Sequence, residues 1–382
     1  MPSSGRVRAA IVTESFLPHV NGVTNSVLRV LEHLRAAGHE ALVVTPIAGG
    51  PKEYAGARVW TLASVKLPGY SQVEISLAGT RTLTQALESF RPDVVHLASP
   101  FVVGPPALRA AARLGIPVVA VFQTDMAGFA RQWGWPAIEG WMWRRIERIH
   151  GAADRTLVPS RATLDLLDAH GIPRLALWPR GVDTGAFHPR HRDEALRRAV
   201  GGGRPLLVGY VGRLAPEKEV DQLRALSVLD DVRVVIVGDG PSRTELERQL
   251  PDAAFLGFLT GAELSRAVAS LDVMVHPGRH ETFCQSVQEA LSSGVPVVAA
   301  GAGGPLDLID SSRTGWLYPP GDAQAMVDRV RDLAGDDAKR RAMGGAARAS
   351  VEHRSWESVM RSLMHHYRAV VAERSADVTR IG

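Results

Sequence analysis

Short runs of β-branched and aliphatic residues, each followed by a stretch of helical periodicity, recur along the whole chain, and that rhythm narrows the choice of fold more than any other feature. Residues 7–13 read as a buried strand, and 23–37 carry Val23, Val27, Val30, Leu31 and Leu34 at helical spacing up to Gly38. Further strand signals stand at 41–45, 94–97, 117–122 and 156–158. The series then restarts at 206–211, 232–237, 253–256, 273–276 and 295–299. Strands without an exposed polar face, separated by helices, predict a parallel, doubly wound α/β sheet covered on both sides. Two such series in 382 residues predict two domains, 1–186 and 187–352, divided by the turn-rich segment 179–190 that holds Arg180-Gly181-Val182-Asp183. A last helix within 353–382 is expected to pack back on the first domain.

Composition removes several classes of function. One cysteine, Cys284, excludes an internal disulfide framework and a cysteine zinc cage. A formal net charge of +4, without a Lys/Arg run or an RNA-type aromatic motif, argues against nucleic acid, although it suits a phosphate-bearing ligand or an anionic membrane surface. The first strand runs straight into Glu14, so there is no secretory apolar segment, and no stretch is long enough to span a membrane. A cytoplasmic protein is expected, with a peripheral contact on the inner face of the plasma membrane.

In a doubly wound fold the chemistry belongs to the loops at the carboxyl ends of the strands. The first such loop is Glu14-Ser15-Phe16-Leu17-Pro18-His19-Val20-Asn21-Gly22, where Gly22 permits close approach of a ligand to a helix N-terminus. It lacks the Gly-x-Gly-x-x-Gly pattern of a nicotinamide-dependent oxidoreductase, and the chain has no Walker-type loop. In the loop 211–218, Arg213 and Lys218 flank a turn, so a planar fork and a point charge can reach one diphosphate. The loop 278–289 carries Glu281 and Glu289 on either side of a helix start, with the backbone of Phe283, Cys284 and Gln285 forming its first turn. Two carboxylates in line suit the hydroxyls of a ribose and a sugar. Each loop alone also fits ordinary structure, with Glu281 as a helix cap and Arg213 and Lys218 as surface charges.

Taken together, Arg213 with Lys218, the spacing Glu281-(seven residues)-Glu289 and the Gly22 loop resemble the family-four retaining glycosyltransferases of the GT-B fold, two Rossmann-like doubly wound parallel-sheet domains facing across a cleft. The stretches 10–38, 121–130, 209–218 and 276–294 are most similar to actinobacterial GDP-mannose-dependent α-mannosyltransferases acting on glycolipids such as phosphatidylinositol mannosides or glucuronosyl diacylglycerol. The resemblance implies that Arg213 and Lys218 neutralise the diphosphate and that Glu289 binds the ribose. It implies that Glu281 and the backbone of Phe283, Cys284 and Gln285 hold the transferred sugar, that Gly22 closes over the phosphates, and that residues near Phe255 and Phe258 lie by the base. Where many members carry a histidine after the fifth strand, this chain reads Phe122-Gln123-Thr124-Asp125, so no histidine role passes to Gln123. Asp125 is a catalytic candidate beside Glu281, and His19, Asn21, Gln123 and Asp125 are candidates for the acceptor. His96, at another strand end, is a weaker one.

No Asp-x-Asp triplet is present, so the usual carboxylate platform for a metal–diphosphate is missing. No cofactor or metal is expected beyond the donor substrate, and the leaving group's charge falls to Arg213, Lys218 and helix N-termini. The resemblance implies attack by the acceptor hydroxyl on the donor's own face, assisted by the departing phosphate. A UDP-sugar enzyme and a non-catalytic sugar-nucleotide-binding protein remain as alternatives. Lastly, residues 128–150 hold Trp133, Trp135, Trp141 and Trp143 among Arg131, Arg144, Arg145 and Arg148, which fits an interfacial membrane contact or a Trp-rich core equally well.

Overall fold

The computed structural model describes residues 5–67, 70–125, 127–128 and 136–381. The chain forms two compact units, Met1–Pro179 with Glu357–Gly382, and Arg180–Trp356. The first is built on β1 (Arg8–Thr13), β2 (Glu40–Thr45), β3 (Glu53–Tyr54) and β4 (Ala57–Thr61), a separate antiparallel pair β5 (Ser64–Leu67) and β6 (Tyr70–Ser76), and then β7 (Val94–Ser99), β8 (Val118–Val121), β9 (Arg155–Val158) and β10 (Leu175–Leu177). Its eight-stranded sheet has the order β10-β9-β8-β7-β1-β2-β4-β3, parallel except for β3 against β4.

Alternation along the strands sends Ala10, Val12, Val95 and Leu97 to one face, against Leu83, Leu87, Ala107 and Ala111. His96 points to the other face, where its Nδ1 lies 2.7 Å from the Tyr367 hydroxyl of the terminal helix Trp356–Ile381. On that side the Trp178 indole donates to Val359 O at 3.1 Å, and Arg155 pairs with Glu373 at 2.7 Å. His96 is therefore a core histidine that secures this helix to the first unit.

The second unit carries β11 (Leu206–Val211), β12 (Val232–Val237), β13 (Ala254–Gly257), β14 (Val273–His276), β15 (Val297–Ala300) and β16 (Gly315–Tyr318). They form one sheet in the order β13-β12-β11-β14-β15-β16, parallel throughout. Leu207, Val211, Val235 and Val237 pack with Val287 and Leu291 on one face. Val208, Tyr210, Val234 and Ile236 pack with Leu223, Leu246 and Val330 on the other.

Two sequence expectations shift. The units part at Pro179/Arg180 rather than at 186/187, because the turn-rich segment bonds into the second unit. Gln288 donates to Arg180 O at 3.0 Å, Gln285 to Gly181 O at 3.1 Å, and Val182 N–H to Arg354 O at 2.9 Å. A Cβ on Gly181 would stand 2.5 Å from Trp356 Cα, so only glycine fits that crossing. The strands β4, β10 and β16 were not expected, since partial exposure at the sheet margins interrupts their apolar pattern.

Candidate functional site

In the second unit the strand order reverses at β11 and β14, which lie side by side with Val208 opposite Val273 and Gly209 opposite Met274. Loops leaving two such strands diverge, and ligands of open α/β sheets bind there. The loop after β11 holds Arg213 and Lys218, and the loop after β14 holds Glu281.

The first loop is held tightly. Gly212 has φ +155°, and a Cβ on Gly238, in the loop after β12, would strike Gly212 O. The Tyr210 hydroxyl donates to Arg213 O at 3.0 Å, and a short 3-10 turn, Pro216–Lys218, carries the lysine inward. The two cations do not converge on one point. Arg213 reaches outward, 60% exposed, and pairs with the buried Glu217. Lys218 turns inward, its Nζ 2.6 Å from Glu281 Oε1. Each has a carboxylate of its own, which charge balance in a half-dry loop demands.

Around Glu281 the structure assembles residues that spacing did not join. His276, the last residue of β14 and 2% exposed, brings Nε2 to 3.1 Å from the same Oε1, and its ring stacks on Tyr210 at 5.8 Å. Burial opposes ionisation of Glu281, but Lys218 and His276 overcome it and hold the carboxyl down at about 2. The same attraction raises Lys218 against its own burial. One donor atom each from His276, Glu281 and Cys284 lie within 4.8 Å of one another, a metal-type cluster that sequence reading missed. In this structure the Lys218 ammonium sits at its carboxylate.

The helix Gln285–Ser292 begins two residues later than expected, with Cys284 as its N-cap in the left-handed region at φ +74°. Its unpaired first-turn N–H groups therefore run from Cys284 to Val287, and Phe283 drops out of that set. The side chains of Phe283 and Cys284 are buried in the core beneath the helix. Glu289 lies half-buried in the second turn, and burial pushes its carboxyl up to about 7 against the pull of the Gln285 amide. Gly304 N–H donates to Glu281 O at 2.7 Å, and side chains at Gly303 or Gly304 would strike the backbone of Glu281 or Phe283. This glycine loop after β15 had a readable signal, Gly301-Ala302-Gly303-Gly304 at a strand end. A bidentate Arg279–Glu219 pair, 2.7 and 2.9 Å, links the loops after β11 and β14. Phe258, just past β13, is 66% exposed, whereas Phe255 packs into the core.

The first unit gathers its candidates at the ends of β1, β7 and β8, around its own reversal between β7 and β1. Glu14 joins the β1 loop to the start of the helix Gly104–Leu114, accepting from Val102 N–H at 2.5 Å and Val103 N–H at 2.9 Å. Burial lifts its carboxyl to about 7 in spite of those bonds. Gln123 donates to Ala98 O, tying the β8 loop to β7. Asp125 accepts from Gly128 N–H at 2.8 Å. Asn21 caps the helix Gly22–Ala36, accepting from Val23 and Thr24 N–H at 3.0 Å and donating to Ser15 at 2.6 Å, so its side chain already has structural work. His19 is half-buried in the same loop, its carbonyl accepting from the Thr24 hydroxyl at 2.8 Å. A Cβ on Gly22 meets nothing within 4 Å, so among the described residues no contact requires glycine there.

Of the Trp-rich segment, residues 129–135, with Arg131, Trp133 and Trp135, lie outside the described residues. The helix Pro136–Ala152 divides the rest between two faces. Trp143 is buried and stacks on His170 at 3.5 Å, while Ile138, Trp141, Arg144 and Arg148 are exposed. Arg145 turns inward, donating to Phe101 O at 2.5 Å beneath the ring of Trp141. Among the described residues no helix is long and apolar enough to cross a membrane.

Known proteins share this organisation. Residues 20–186 match the family described as Glycosyltransferase Family 4, and residues 193–350 match Glycosyl transferases group 1. A GDP-mannose-dependent alpha-mannosyltransferase of Mycolicibacterium smegmatis is 50% identical, over 97% of this chain and 99% of its own. A GDP-mannose-dependent alpha-(1-6)-phosphatidylinositol dimannoside mannosyltransferase of Mycobacterium tuberculosis is 27% identical over 94% and 95%. Among solved structures, the sucrose-phosphate synthase of Thermosynechococcus elongatus superposes with a TM-score of 0.81 at 19% identity, covering 96% of this chain and 100% of that one.

Proposed function

The chain belongs to glycosyltransferase family 4 and has the GT-B fold, and on that premise we propose that it is a retaining α-mannosyltransferase moving mannose from GDP-mannose to a lipid-linked acceptor of phosphatidylinositol mannoside or glucuronosyl diacylglycerol type. The observation that carries this reading is the 50% identity, over nearly the full length of both chains, to a GDP-mannose-dependent alpha-mannosyltransferase. The lipid acceptor draws support from the phosphatidylinositol dimannoside mannosyltransferase.

In this reading the second unit holds the donor. Lys218 and Arg213 leave their carboxylates for the diphosphate, the N–H groups at Cys284 to Val287 add positive potential, and Glu289 accepts from the ribose hydroxyls. Glu281 and the adjoining backbone hold the mannose. As the C1–O bond to the diphosphate breaks, the acceptor oxygen bonds to C1 from the same face, and its proton passes to the departing phosphate oxygen. No protein base is required, and the protein's contribution is preorganised charge around the leaving group. Residues His19, Gln123 and Asp125 of the first unit serve the acceptor, with Asp125 beside the reacting hydroxyl, while Asn21 shapes the loop. The outward face of the helix Pro136–Ala152, with Trp141, Arg144 and Arg148, rests on anionic lipid at the inner face of the plasma membrane.

The test is to incubate pure enzyme with GDP-mannose and a lipid extract and to identify the product by mass spectrometry. A mannosylated glycolipid is expected. Transfer from UDP-sugars alone, or donor binding with no transfer to any lipid, would overturn the proposal.

A further inference from the structure

His276 was no candidate by spacing, yet it is the most constrained polar group near Glu281. One carboxylate oxygen, Glu281 Oε1, receives both Lys218 Nζ at 2.6 Å and His276 Nε2 at 3.1 Å. The two donors differ in freedom. Lysine sits on a flexible four-carbon stem, whereas the imidazole, 2% exposed at a strand end and stacked on Tyr210, has nowhere to turn.

We propose that His276 is a positioning residue that holds the Glu281 carboxylate while Lys218 serves the donor diphosphate. The inference rests on the donor-site reading above. Once Lys218 swings away, a carboxylate with a side chain only 14% exposed would lose its strongest partner, and would rotate off or take up a proton. The imidazole N–H keeps it oriented and ionised, ready to accept from sugar hydroxyls. His276 Nδ1 has no hydrogen-bond partner among the described residues; the ring meets Glu281 through Nε2, with the Cys284 sulfur also beside it. The titratable groups facing the ring are Glu281 and Cys284 on the following loop, Lys218 on the loop after β11, and Tyr210 on β11.

His276→Leu and His276→Gln separate this role from core filling, because the Gln amide restores a donor near the Nε2 position. Melting temperature, kcat, and KM for GDP-mannose and for the lipid acceptor are measured for each. His276→Leu is expected to lower kcat/KM for the donor by about 10- to 100-fold, the range for losing a hydrogen bond to a charged group, with acceptor KM unmoved. His276→Gln should recover most of that loss. Equal activity of the two variants, or a parallel loss in donor and acceptor KM, overturns the proposal. If neither variant folds, 15N-histidine NMR of the parent with saturating GDP decides. A His276 Nε2 proton retained in its hydrogen bond supports the role, and its loss refutes it. If Lys218→Met and Glu281→Gln weaken GDP-mannose binding while His276→Leu matches the parent, only this inference fails. If those two variants bind the donor normally, the donor-site reading fails with it.

Discussion

Replacing Lys218 with methionine keeps the length of the side chain and removes its charge from a site where the pair is 18% and 14% exposed. The size of the effect follows from Glu281, whose carboxyl stands at about 2 instead of 4.5. Because its folded value is depressed, the stabilisation is full above the unfolded value of 4.5 and fades as pH falls toward about 2. At about 1.4 kcal/mol per pH unit the interaction amounts to about 3 kcal/mol at pH 7, shared between Lys218 and His276. Lys218→Met is therefore expected to destabilise the protein by about 2 kcal/mol at pH 7, in line with breaking a buried pair from one side. Urea denaturation at pH 7 and pH 4 measures it, with Glu281→Gln and the double variant completing a cycle. The defect should shrink at pH 4, and the double variant should be more stable than Lys218→Met alone. A single variant within about 0.5 kcal/mol of the parent at pH 7, or strictly additive effects, would refute the reasoning.

The other expectations follow from the same geometry. Arg213→Ala should weaken GDP affinity by about 1.5–3 kcal/mol in calorimetry and also lower stability, because it leaves the buried Glu217 without its partner. Glu289→Gln should stabilise the fold by about 1–3 kcal/mol at pH 8 and hardly at all below pH 4.5, since a raised carboxyl costs stability as pH climbs toward about 7; the same variant should weaken donor binding, and denaturation paired with calorimetry checks both. Activity should survive EDTA, because the sequence has no Asp-x-Asp triplet and Arg213 and Lys218 supply positive charge at the proposed diphosphate site, and loss restored by magnesium or manganese would refute this. Arg144→Ala with Arg148→Ala should reduce co-sedimentation with anionic vesicles, most strongly at low salt, while GDP affinity stays constant; Arg145 is left intact because it bonds to Phe101 O.

The two doubly wound sheets were legible in the chain, since apolar runs such as Leu206–Val211 and 234–237 are unstable unless helices cover both faces. It also marked which loops matter, because a loop's position after a strand is a property of the chain. What it left open were interactions whose partners are distant in sequence or hidden by backbone conformation. Only tertiary structure put Lys218 on Glu281, 63 residues away, and turned Arg213 to Glu217 instead of toward the same point. The role of His276 was equally hidden, because a histidine five residues before a glutamate carries no directional signal until a strand end and a turn aim the ring at the carboxylate. The late start of the helix at Gln285 rests on Cys284 adopting a left-handed conformation that its residue type does not announce. Asn21 went the other way, a polar candidate that the fold spent on capping a helix. Local periodicity is encoded residue by residue, whereas the pairing of buried charges is decided by which strands become neighbours, and here the reversal at β11 and β14 decided it.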